Sequence, residues 1–310
     1  MYNFRTDMAD ERHDIYKKAN KLESIPGIET TENIIDDNIK TNVVKITNSD
    51  GEKAIGKPIG TYVTVDIKNL KLATDENIDK ASDVVKEELK KIIDSHCDSQ
   101  DEILVVGLGN QFVTPDSLGP KVISEIDVTK HFIKYTPQYV AEGTRSVCAI
   151  APGVLGTTGI ETSEIIKGIV SNVKPKMLIV IDSLASKSIE RISSTVQISD
   201  TGIVPGGGVG NAREELSENT IGIPVIAIGV PMVVESAVLV NDCLNIFIGK
   251  LQEEAKSNDY LNGLKEQDNY EEIKESLNPS GYNMIVTPKE IDDLIENMKD
   301  VVAKAINFAI

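Results

Sequence analysis

At 310 residues the chain is long enough for one large α/β domain or two modest ones around a sizeable core. With 40% hydrophobic and 26% charged residues it has the composition of an ordinary folded protein, and its net charge of −17 repels nucleic acid phosphates and favours neutral or basic partners. The longest apolar runs, such as residues 224–234, are too short to span a bilayer, and no apolar leader opens the chain, so the expected location is inside the cell.

Residues 1–60 are polar and charged, with few periodic apolar positions. Residues 61–67 alternate as a half-buried strand does, and Thr74 with Asp75 predicts the start of a helix striped by Ile78, Ala81, Val85, Leu89 and Ile92. Three short apolar runs follow, at residues 103–107, 177–181 and 225–229. Such runs suit strands buried on both faces of a parallel sheet. Helical patterns separate them, one on Leu118, Val122 and Ile126, another on Ile165, Ile166, Ile169 and Val170. The second is preceded by Thr158-Gly-Ile-Glu161, which reads as a capping box. Alternation of this kind predicts an α/β fold: a mostly parallel sheet with helices on both faces, a polar N-terminal extension and a C-terminal helix. Residues 8–100 read as the N-terminal part of the main domain with exposed segments, 101–250 as the α/β core, and 251–282 as an exposed insertion or flap. Residues 283–310 carry Thr287-Pro-Lys-Glu290, a capping box with proline at the first helical position, then a stripe of Ile291, Leu294, Met298, Val301 and Ala305.

Two aspartates stand where chemistry is expected. Asp182 follows the second apolar run, and ligand crevices in open α/β sheets lie outside the carboxyl ends of strands. Helix capping is an equal reading of that residue alone. Asp116 follows the first run, in Gly107-Leu-Gly-Asn-Gln-Phe-Val-Thr-Pro-Asp-Ser-Leu-Gly-Pro120. There Thr114 as N-cap and Pro115 behind it would place the acid in a first helical turn, which lowers its pKa. A carboxyl at a buried strand end is raised instead, so Asp116 is expected to ionise first and Asp182 to hold its proton. The glycine-rich stretches lack the third glycine of a dinucleotide fingerprint or the lysine of a phosphate loop. They turn the chain or clasp an extended peptide. No His-Glu-x-x-His or Gly-x-Ser-x-Gly is present, His13, His96 and His131 read as solvated, and Cys148 lies in an apolar run as a core filler. Cys97, Cys148 and Cys243 are far apart, with no Cys-x-x-Cys metal framework. Carboxylates are left as the best supply of acid and base.

The order of several segments carries more. Residues 105–110, Val113-Thr-Pro-Asp-Ser-Leu-Gly-Pro120, Ala151-Pro-Gly-Val-Leu-Gly156, Ile181-Asp-Ser-Leu-Ala185, residues 197–202, Pro205-Gly-Gly-Gly-Val-Gly-Asn211, residues 226–231 and Met284-Ile-Val-Thr-Pro-Lys-Glu290 together resemble the germination protease family of spore-forming bacteria. The resemblance spans nearly the whole chain. It implies a fold similar to hydrogenase-maturation proteases and an endopeptidase that starts the degradation of small acid-soluble spore proteins, within the cytoplasm of the developing and germinating spore. It also implies an inactive precursor that removes its own propeptide, a homotetramer, and an aspartate pair mapping onto Asp116 and Asp182; no cofactor is expected. Arg5-Thr-Asp-Met-Ala9 resembles the family's processing junction, so residues 1–7 are the expected propeptide and Asp7–Met8 the expected cut. Two alternatives stand beside this reading. One is a metal-dependent peptidase with the same aspartates as ligands; the other is a non-catalytic module that binds peptides. The sequence departs from the family pattern at Gly207, where serine is usual, and at Ser183, where alanine is commoner.

Overall fold

The computed structural model describes residues 6–68, 70, 74–207, 213–254, 270–277 and 284–310. Nine strands are found among these residues: β1 (Ile28–Ile34), β2 (Ile39–Ile46), β3 (Gly60–Ile67), β4 (Ile103–Gly107), β5 (Val147–Ile150), β6 (Met177–Ser186), β7 (Thr195–Ser199), β8 (Val225–Glu235) and β9 (Ile285–Val286). They form one sheet in the order β1-β2-β3-β7-β8-β6-β4-β5, with β9 on β8. The centre, β8-β6-β4-β5, is parallel, as its apolar runs predict. β7 lies antiparallel on β8 and leads through β3 and β2 to β1, an antiparallel wing.

The helices are α1 (Ala9–Ala19), α2 (Ser49–Ile55), α3 (Asp75–Asp94), α4 (Leu118–Ile123), α5 (Lys130–Tyr135), α6 (Leu155–Thr158), α7 (Thr162–Val173), α8 (Glu218–Ile221), α9 (Ser236–Glu254), α10 (Tyr270–Leu277) and α11 (Ile291–Ala309). Strand alternation sorts them onto two faces. Ile103, Val105, Ile179 and Ile181 pack with α3, α4 and α11, while Leu104, Val106, Leu178 and Val180 pack with Ile166 of α7. Thr74 caps α3 as expected, its hydroxyl accepting from the Asn77 amide at 3.4 Å.

Three starts differ from expectation. Gly159 turns left-handed at φ +72° and closes α6, so the Thr158 hydroxyl accepts from the Ile160 amide and α7 begins at Thr162 without a capping box. The Thr287 hydroxyl donates to the Met232 carbonyl at 2.9 Å, and pairing of Val286 with Val234 keeps this stretch extended, so α11 begins only at Ile291. Val113, not Thr114, precedes a 3₁₀ turn at Thr114–Asp116, and α4 begins at Leu118. The first 60 residues, featureless to periodicity, form α1, β1, β2 and α2 over a small core of Ala9, Ile25, Val44, Ile46, Ala54, Ile55 and Tyr62. Of 251–282, residues 255–269 and 278–282 lie outside the described residues; within the rest, Tyr270 is buried and its hydroxyl donates to Glu235 at 2.5 Å.

Candidate active site

The parallel strands set the site. From β4 the chain goes to β5 on one side and to β6 on the other, so a crevice opens between the carboxyl ends of β4 and β6. Gly107, the last residue of β4, pairs with Ile181, and Asp182 is the next residue on β6. The loop leaving β4 brings Asp116 to the same crevice. Both aspartates line a cavity of about 420 Å³.

Close backbone packing holds Asp116 there. Gly109 has φ +114°, and a Cβ on it would lie 2.0 Å from the Asp116 carbonyl oxygen, so no other residue fits without shifting the loop. The Asn110 amide then donates to Asp116 Oδ2 at 2.8 Å. This one donor does not offset burial, which pushes the Asp116 carboxyl up. The expected lowering at a helix start is therefore overturned: a single 3₁₀ turn supplies little dipole, and desolvation prevails.

Asp182 is only 5% exposed. It caps no helix, because β6 continues to Ser186 through pairing with β8. Burial pushes its carboxyl well up, and the charge of Asp116 adds to the effect; the Ser183 amide, donating at 2.9 Å, opposes it weakly. The expected order survives, with Asp182 the more strongly proton-holding of the two.

A third acid occupies the crevice. Asp7 is half-buried along β6: its amide donates to the Ala185 carbonyl at 2.9 Å, and the Ala185 amide donates to Asp7 Oδ2 at 3.0 Å. Gln197 Nε2 donates to the Asp7 carbonyl at 3.4 Å while its Oε1 accepts from the Ala9 amide at 2.7 Å, which straddles Met8. Asp7 lines the cleft, while Thr6, Met8 and Ala9 are fully buried beside it, so the expected cut lies at the cleft's edge. Beyond it, Arg191 grips Asp10 with two hydrogen bonds, at 2.9 and 2.6 Å.

Three glycine-rich segments meet here as well, through Gly109, Gly156 and Gly206. Residues 208–211 of the third segment, and Arg5 of the junction, lie outside the described residues. The histidines stay away from the cavity lining; His13 is buried rather than solvated, beside Asp14 at 2.9 Å. Cys148 packs with the α7-side core, and burial pushes its thiol up. Among the described residues no group of three His, Cys, Asp or Glu is gathered to hold a metal ion. No described helix is long and apolar enough to cross a membrane. Sequence reasoning missed Arg12, which lies on α1 itself, and Gln197, Arg191 and Lys57, which approach the N-terminal segment from distant positions.

A cleft at a strand switch point, two carboxyls differently raised, and an extended chain segment lying in it are the parts of a peptidase. The family model described as germination protease matches residues 5–263 and 259–310. The chain is 45% identical to a germination protease of Clostridium acetobutylicum over all of its length and 96% of that protein's. To one of a Geobacillus species it is 39% identical, over all of its length and 94% of the relative's. The chain belongs to the germination protease family, whose members are peptidases acting in spore germination. Among solved structures, the [NiFe] hydrogenase maturation protease HycI of Thermococcus kodakarensis aligns with 47% of this chain and 80% of its own, at 16% identity and a TM-score of 0.29.

Proposed function

We propose that this chain is an endopeptidase that hydrolyses peptide bonds with Asp116 as base and Asp182 as acid, and that small acid-soluble spore proteins are its substrates in the cytoplasm of the germinating spore. The observation that carries the chemistry is the sharing of one cavity by two carboxyls, of which Asp182 holds its proton the more firmly. Ionised Asp116 takes a proton from water as the water oxygen bonds to the peptide carbonyl carbon. The tetrahedral adduct then collapses, the C–N bond breaks, and the proton of Asp182 passes to the leaving amine. Transfer of the proton from Asp116 to Asp182 restores both groups.

The chain starts as a precursor, residues 1–7 being a propeptide removed by cutting Asp7–Met8; support comes from the seating of that junction at the cleft's edge. Residues 8–250 then form the catalytic unit, residues 251–282 an appended segment, and residues 283–310 its closing helix. The acidic charge supports protein rather than nucleic acid partners. Exposed Phe132, Tyr135, Ile246, Phe247 and Phe308 supply apolar surface for a homotetramer, and a solution mass well below four chains would remove that assembly.

The decisive assay is cleavage of a purified small acid-soluble spore protein by wild type, Asp116→Asn and Asp182→Asn, with and without chelator. Each variant is expected to lose about 10²- to 10⁴-fold in kcat/KM, with no chelator effect on the wild type. Chelator sensitivity would make the two aspartates metal ligands, and undiminished cutting by both variants would remove them from the chemistry.

A further inference from the structure

Gln197 stands in the same row of the sheet as Asp182. Gly229 of β8 pairs with Asp182 of β6 on one side and with Gln197 of β7 on the other. Residues paired in this way point to the same face, so both side chains leave the sheet together, their Cα atoms about 10 Å apart at two strand spacings. Ile181 and Ile198, one step along each strand, join the core on the opposite face. Between the two polar groups Gly229 carries no side chain, and a Cβ there would stand 2.3 Å from Leu184 Cδ1. Leu184 therefore lies across the glycine and fills the gap in the row.

Gln197 is 6% exposed, and its carboxamide is turned to the proposed cut. The Ala9 amide can only donate, so it takes the Gln197 oxygen, at 2.7 Å. That leaves the –NH₂ facing the Asp7 carbonyl oxygen, 3.4 Å away. This carbonyl belongs to the Asp7–Met8 bond itself. When water adds to a peptide carbonyl, the oxygen gains a full negative charge, and a donor placed beforehand stabilises it. A bond of this length is weak to a neutral carbonyl and strengthens as the oxygen becomes charged. A carboxamide also stays a donor across the whole pH range in which the two carboxyls titrate.

We infer that Gln197 is a further catalytic residue: its Nε2–H stabilises the oxyanion formed at the carbonyl of the cleaved bond, while its Oε1 fixes the next amide but one along the chain. The inference rests on the proposed cut and on the proposed aspartate chemistry. As the water oxygen bonds to the carbonyl carbon, the C=O π pair moves onto the carbonyl oxygen, and Gln197 holds that charge without giving up its proton. As the C–N bond breaks, the pair returns to re-form C=O, the proton of Asp182 passes to the leaving amine, and Gln197 is left unchanged.

The rate of cutting after residue 7 in the full-length chain tests it, read beside hydrogen exchange at the Ala9 amide for wild type and Gln197→Glu. At neutral pH the variant keeps an oxygen for Ala9 and replaces the donor with a second acceptor. Cutting is expected to slow about 10²- to 10³-fold while the Ala9 amide stays as protected as in wild type. Cutting within tenfold of the wild-type rate would overturn the inference and leave Asp116 and Asp182 standing. A slow variant whose Ala9 amide exchanges freely would overturn it too, because Gln197 would then only hold the segment. A wild-type chain never cut after Asp7 would overturn the processing site and this inference together. If Gln197→Glu does not fold, Gln197→His against Gln197→Met carries the test; the histidine, which can donate, should support cutting at least tenfold faster, and equal rates overturn the inference.

Discussion

A buried carboxyl costs stability, and Asp182 is the residue where that cost is measurable. Burial and the charge of Asp116 lift its pKa in the folded chain above the unfolded value. The folded state therefore binds this proton more tightly, and the stability tied to it is complete below the unfolded value, about pH 4. It is lost as pH climbs through the raised folded value. Asp182→Asn removes the titration. The variant is expected to gain about 1–2 kcal/mol over wild type at neutral pH, with the gain vanishing near pH 4. Melting temperatures of the two proteins across this range check the sign; a constant difference at every pH would contradict it. On the proposed chemistry, activity is expected to rise as Asp116 ionises and to fall as Asp182 loses its proton, and a pH–rate profile with no carboxyl titration would contradict it.

At the scale of elements, α1 is tied down by a contact no sequence pattern announces. Asp10 is 2% exposed and is held by both terminal nitrogens of Arg191, 181 positions away. Arg191→Met would leave that carboxylate buried without its partner, at a cost of about 3 kcal/mol. Faster hydrogen exchange along α1 and a melting temperature lower by several degrees are expected, and unchanged exchange there would show that the grip is dispensable. What the sequence could reveal divides along this line. The central strands were legible because residues buried on both faces are written in one apolar run, and the crevice positions of Asp182 and Asp116 were legible because one follows such a run directly and the other lies in the loop that leaves one. β1 was not: six of its seven residues are exposed, so its chain carries no burial period to read. Lys57, Gln197 and Arg191 were hidden for another reason, since only the tertiary fold brings them to the N-terminal segment. Helix starts failed where a hydroxyl found a better tertiary acceptor, as Thr287 did at Met232.

Across the whole molecule, the N-terminal segment runs from the cleft into α1 and the antiparallel wing, so the proposed cut and the proposed catalytic carboxyls are parts of one folded body. On the proposed processing, that arrangement fixes a kinetic order. A bond already seated at its own cleft is attacked without an encounter, so processing should follow a first-order law whose rate constant is independent of protein concentration. Cutting of an added protein, by contrast, slows in proportion as enzyme is diluted. Following the loss of full-length chain at two concentrations a hundredfold apart separates the cases: superimposable half-lives match the seated junction, and half-lives that lengthen on dilution assign the cut to a second molecule. In the first case a single chain, isolated in a compartment with no other copy, carries its own timer.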